Sequence, residues 1–269
     1  WDDKDLGSIG EMGSKPGQLT WPVAIVRRTN DNLIVSDEAL HRISIFDQDG
    51  SCSYFWGQKG KKPGQLHGPA GLALHNDTQI YIADSKNHRI QKYTVEGDYV
   101  FGWGSYGSDH GQFKLPWGLA VDKIGAIYVA DWGNNRVEKF SENGEYLMTF
   151  GDDTNTSESC NLTKPSGIAV DLDGDVYVAD WGNNRVVQFN SQGLYLDQFI
   201  GDATLSKVGM EYIRGNLKIL RQREMTSLEP TKRLRRAPSV KVDGNGMMYI
   251  VDHGGHRVQI YKKEAQRLD

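Results

Sequence analysis

Cysteine is nearly missing from these 269 residues: there are two, Cys52 and Cys160. That excludes a disulfide framework and a cysteine-rich zinc site, and leaves two unpaired small apolar residues as the simplest reading. No apolar run approaches the ~20 residues of a membrane-spanning helix. Basic excess is also lacking, since the net charge is −4, which opposes a nucleic-acid binder needing a broad basic face with stacking aromatics. No Gly-x-Ser-x-Gly elbow and no paired-carboxylate motif announces a hydrolase. Three glycosylation-type triplets, at Asn76, Asn155 and Asn161, arise too easily by chance to fix a compartment.

What is present is turn chemistry and repetition. The chain holds 31 Gly and 7 Trp, and prolines that open apolar runs recur at Pro22, Pro69, Pro116, Pro165 and Pro238. A period near 47 residues signals a propeller or solenoid. The copy beginning at Pro165 shows the unit best. Residues 167–171 form a short apolar run, Asp173-Gly174 a turn, and 176–180 a second run. Residues 181–184 turn into 185–189, and Ser191-Gln192-Gly193 turns into 195–200. Short β-branched and aromatic runs punctuated by Asp-Gly or Gln-Gly read as antiparallel strands, and four strands make a propeller blade.

Each copy carries an Asp followed five residues later by an Arg: Asp37 and Arg42, Asp84 and Arg89, Asp131 and Arg136, Asp180 and Arg185, Asp252 and Arg257. Flanking a tight turn between paired strands, such a pair can lock that turn by a charge-assisted bond, so all five are read as structural. Between them, Asn87-His88-Arg89-Ile90 is a form of the Asn-His-Leu signature. With the Pro-Gly-Gln-Leu stretches at 16–19 and 63–66, the chain resembles the NHL-repeat family of β-propellers. The expected fold is therefore all-β: four-stranded antiparallel blades, five in number, with six as the alternative. The last copy stops after its third strand, at Tyr261. The N-terminal segment Leu6 to Gly10 is expected to supply its fourth strand and close the ring. One domain is expected over 1–269.

Residues 202–237 break the pattern. Leu205, Val208, Tyr212 and Ile213 recur at helical spacing, so a helical insertion is expected there. It is basic, with nine Lys or Arg against four acids, including Lys207, Arg214, Arg221, Arg223, Arg235 and Arg236. It either docks on its own acidic disc or meets an acidic partner.

Turns after the second and fourth strands fall on one face, and these are the long ones. Function concentrates on long loops carried by a rigid scaffold, which makes this the expected working face, with Trp21, His67, His110, Trp117, Trp132, Trp181 and His253 as candidate ligand-binding residues. His41, His88 and His256 precede the lock arginine, where other copies have Asn135 and Asn184, and read as structural. The resemblance implies two functional classes. Many members of the family are binding scaffolds, which makes a protein or peptide partner the leading expectation, with a small molecule second. The lyase branch holds zinc on histidines directly after the opening prolines. Here those positions are Val23, Ala70, Trp117, Ser166 and Ser239, so that zinc chemistry is not carried over. The lactonase branch holds calcium and opens on Glu-Gly-Pro, which is also lacking. No cofactor is expected, with a channel-bound zinc or calcium ion left as the alternative that accompanies an enzymatic reading.

Overall fold

The computed structural model describes residues 8–151, 160–201 and 233–263. Within them the repeats become five antiparallel sheets. Blade 1 comprises β3 (Pro22–Arg27), β4 (Leu33–Asp37), β5 (Arg42–Phe46) and β6 (Cys52–Trp56). Blade 2 comprises β7 (Pro69–His75), β8 (Gln79–Asp84), β9 (Arg89–Thr94) and β10 (Tyr99–Trp103). Blade 3 is β11 (Pro116–Val121), β12 (Ile127–Asp131), β13 (Arg136–Phe140) and β14 (Tyr146–Phe150). Blade 4 is β15 (Pro165–Val170), β16 (Val176–Asp180), β17 (Arg185–Phe189) and β18 (Tyr195–Phe199). Blade 5 has three described strands, β19 (Ser239–Val242), β20 (Met247–Asp252) and β21 (Arg257–Lys262). Ahead of them, β1 (Glu11–Met12) and β2 (Gln18–Leu19) form a short parallel pair. Its counterparts are the parallel bridges Lys59 to Leu66 and Tyr106 to Phe113, so residues 11–19 repeat the crossover loop found between later blades. Of the expected closing strand, Leu6 to Gly10, the first two residues lie outside the described residues, and 8–10 are irregular backbone that pairs with no strand of blade 5.

Consecutive innermost strands lie against each other in the order β3, β7, β11, β15, β19. The core is the set of buried apolar clusters between neighbouring blades, such as Tyr128, Val137 and Phe150 of blade 3 against Ile168, Val178 and Phe189 of blade 4. The second residue after the opening proline explains how closely the inner strands approach. A Cβ on Gly71 would lie 2.2 Å from the Trp117 carbonyl oxygen, and one on Gly118 would lie 2.4 Å from that of Ser166. No side chain fits there.

Four of the five expected Asp–Arg locks form, with Nε to Oδ2 distances of 2.8 Å for Arg89, Arg185 and Arg257 and 3.2 Å for Arg136. The first does not. Arg42 turns away to the carbonyls of Ser14, Lys15 and Gln18, and Asp37 instead accepts bonds from the Thr20, Trp21, Ala39 and Leu40 amides. Four nearby backbone donors satisfy that carboxylate without a cation.

The expected helical insertion lies outside the described residues over 202–232, together with Lys207, Arg214, Arg221 and Arg223. Its end, 233–237, is irregular backbone rather than helix. Arg235 and Arg236 are exposed there. Their amides donate to Asp252 Oδ1 and Asn184 Oδ1, which ties this strip to blades 5 and 4.

Candidate functional site

The locks do more than hold turns. Arg136 donates to the carbonyls of Ser108, Asp109 and Gln112, and Arg89 to those of Lys61, Lys62 and Gln65. Each arginine thus clamps the crossover loop that arrives on the long-loop face. In blades 1 to 4 the lock aspartate accepts the amide of the residue two before its own blade's opening proline, as in His67 to Asp84 and Lys114 to Asp131, and in blade 5 Asp252 accepts that of Arg235, three before Pro238. The residue before each arginine adopts a left-handed backbone, with φ of 54° at His41, 55° at His88, 58° at Asn135 and 56° at Asn184. From there its side chain accepts an amide of the following blade: Gly68, Leu115, Lys164 and Arg236 respectively. His and Asn suit that place because both tolerate positive φ and present an acceptor. Burial lowers the His41 and His88 imidazoles below their ordinary value, consistent with neutral rings accepting those bonds. The structural reading of both histidines holds.

The candidate residues do not form one cluster. Trp132 and Trp181 open single turns of 3-10 helix in blades 3 and 4. The Lys164 ammonium sits between them, 4.8 Å from one ring centre and 5.9 Å from the other, a cation–π arrangement. Trp21 stands 63% exposed on the same face. His67 is half-buried with its ring edge on His41. His110 stacks on Tyr146 at 4.0 Å, with Nδ1 3.3 Å from the buried Glu138 carboxylate. Burial pushes that carboxyl up, against the pull of Arg136. His253 is exposed on the last 3-10 turn. Among the described residues no group of three or more His, Cys, Asp or Glu is placed to hold a metal ion.

Only Trp117 of this set lines the central channel. The channel appears as two adjoining cavities. One, of about 230 Å³, lies toward the long-loop face and is lined by Trp117, Ser166 and Ser239 among others. The other, of about 340 Å³, reaches toward the short-turn face and Arg27. Ile25, Leu72, Leu119, Ile168 and Lys241 line both. Sequence reading passed over Lys241 and Lys164. Lys241 was legible in one respect: counted back from the second-strand aspartates, it falls where other copies have Ala73, Ala120 and Ala169.

The family model described as NHL repeat matches residues 162–189, and that of the SMP-30/gluconolactonase/LRE-like region matches 57–158. No curated protein matches the sequence. Among solved structures, virginiamycin B lyase from Staphylococcus aureus is 15% identical at a TM-score of 0.57, over 86% of this chain and 62% of that one. A gluconolactonase from Xanthomonas campestris is 15% identical at 0.60, over 91% and 73%. A chain of a nidogen/laminin complex is 17% identical at 0.59, over 90% and 75%. At these identities the likeness is one of fold, and the chain spans less than two thirds of that lyase's length. Two of these proteins are named as enzymes and one was solved in a protein complex.

Proposed function

The chain belongs to the NHL-repeat β-propeller family, and on that premise we propose that it is a non-catalytic scaffold that binds a protein or peptide through its long-loop face. One observation carries the reading. The polar residues of the repeat signature are consumed in locks and inter-blade bonds, while the same face presents an exposed Trp21 and the Trp132, Lys164, Trp181 stack. Rigidly mounted tryptophans are the residue type that anchors protein interfaces. Panning a displayed random-peptide library on the purified protein tests it. Enriched peptides should lose binding by about 30-fold or more in a Trp132→Ala, Trp181→Ala double variant, the scale of a lost hot spot, with little change in melting temperature. Peptides that bind the double variant as well as wild type overturn the reading.

A metal-dependent propeller enzyme is the second reading, favoured by the gluconolactonase-like match over 57–158. Its site would be at the channel mouth. Elemental analysis of the purified protein separates the two readings. Stoichiometric zinc or calcium that survives dialysis supports the enzyme; binding of peptides with no bound metal supports the scaffold.

A further inference from the structure

The two faces of the disc carry opposite charge. Among the described residues, the segments of the long-loop face, with 11–21 counted as the crossover into blade 1, hold ten Lys or Arg against three acids, Glu11, Glu38 and Asp109. The short turns of the other face, with Lys263 after β21, hold three bases (Arg28, Lys123 and Lys263) against thirteen acids. A chain whose net charge is −4 thus turns a basic face to its partners, and a field of one sign draws the opposite sign to that side.

Two cations of this face are mounted alike. Lys164 and Arg236 donate their amides to the side chains of Asn135 and Asn184 in the preceding blade. Both have left-handed backbones, with φ of 53° and 56°, which residues other than glycine seldom adopt. Gly68 and Leu115 make the same bond ahead of blades 2 and 3, so the fold does not require a cation there. Both side chains are exposed. Neither joins an ion pair among the described residues, whereas Lys86 is matched by Glu38 at 2.8 Å. The Lys164 ammonium lies over the rings of Trp132 and Trp181, which hold it in place without neutralising it.

We propose that the partner of the long-loop face is an acidic peptide segment, its carboxylates on Lys164 and Arg236 and its apolar side chains against Trp132 and Trp181. This rests on the scaffold reading above and specifies its ligand. Carboxylates form charge-assisted bonds with both cations, and the guanidinium can take one in a bidentate grip. The tryptophans add rigid apolar area beside them. A nucleic acid strand fits less well, because bases need open ring faces to stack on and the Lys164 ammonium already lies over both rings.

The test is the displayed-peptide panning described above, read for composition and followed by calorimetry at low salt on the tightest peptide. Enriched peptides should carry Asp and Glu in excess. A Lys164→Gln, Arg236→Gln double variant should weaken binding about tenfold or more, whereas Lys164→Arg, Arg236→Lys should hold it within about threefold. Lys123→Gln, on the acidic face, should leave binding unchanged, and all variants should melt with wild type. Enriched peptides that are neutral or basic overturn the proposal and leave the scaffold reading standing; enrichment of no peptide overturns both. Unchanged binding by the double Gln variant, or an equal loss in Lys123→Gln, also overturns it. So does a uridine oligoribonucleotide that binds more tightly than the acidic peptide, which would make the ligand a nucleic acid.

Discussion

Blades 3 and 5 are copies of one unit, yet the sides they turn toward the next blade could hardly differ more. On blade 3 that side carries Tyr128, Ala130 and Val137, each 0% exposed. The same ladder positions on blade 5 are Tyr249, Val251 and Val258, at 36%, 40% and 55%. Ile260 beside them is 56% exposed. The contrast teaches that a blade does not bury its own faces. In stacked repeats the burial is lent by the neighbour, and among the described residues nothing lends it to the outer side of blade 5. The residues follow suit. Alanine lies beneath tyrosine in blades 2, 3 and 4, where the next blade closes in, and blade 5 has Lys241 and Val251 where blade 3 has Ala120 and Ala130.

The lock shows the same gradient. Asp131 and Arg136 are 0% and 7% exposed, whereas in blade 5 Asp252 is 0% but Arg257 is 30%. The sharpest way to break the comparison is to remove both acids in turn. Asp131→Ala leaves a buried guanidinium uncompensated and should cost about 3–5 kcal/mol in denaturant unfolding. Asp252→Ala leaves a wetter one and should cost about 1–2 kcal/mol. Equal losses would mean that blade 5 is as enclosed as blade 3.

Smaller but more direct is a pair of truncations. Val137→Ala should lower stability by about 1–2 kcal/mol through the cavity it leaves, and Val258→Ala by less than about 0.5 kcal/mol, the range of surface changes. A Val258→Ala cost matching that of Val137→Ala would show that the outer side of blade 5 is covered in solution.

The mildest effect concerns pH. Burial pushes Asp84 and Asp131 above the ordinary carboxylate value. Asp252 is also raised by burial, but bonds from the Arg235 amide, Arg257 and Gln259 outweigh it and hold the group low. The signs therefore oppose. A depressed group stabilises the fold above its unfolded value and loses that contribution as pH falls through its folded value. A raised group makes the fold relatively more stable as pH falls toward the unfolded value. Hydrogen exchange, corrected for intrinsic rates, should show blades 2 and 3 keeping or gaining protection from pH 7 down to about 4. Blade 5 should lose protection below about 4. Uniform loss across blades would remove the distinction.

Sequence by itself determined the repeat, the blade count, the turns and the long-loop face. Those rest on local patterning: period-two strands, Asp-Gly turns, an aspartate and an arginine five residues apart. Even the pairing of His41 and His88 with Asn135 and Asn184 as structural equivalents needed only alignment of the copies. Tertiary structure decided what depends on groups far apart in the chain. Arg42 reaches three carbonyls of residues 14–18 and makes no bond to Asp37, whereas Arg89 and Arg136 reach the equivalent carbonyls and keep their locks. Trp132 and Trp181, 49 positions apart, share Lys164 because blades 3 and 4 are neighbours. Five first strands converge on one channel, and Lys241 of the last of them lines it. A repeat announces itself through nearest neighbours along the chain, but a channel and an open blade face exist only once separate copies have been placed side by side.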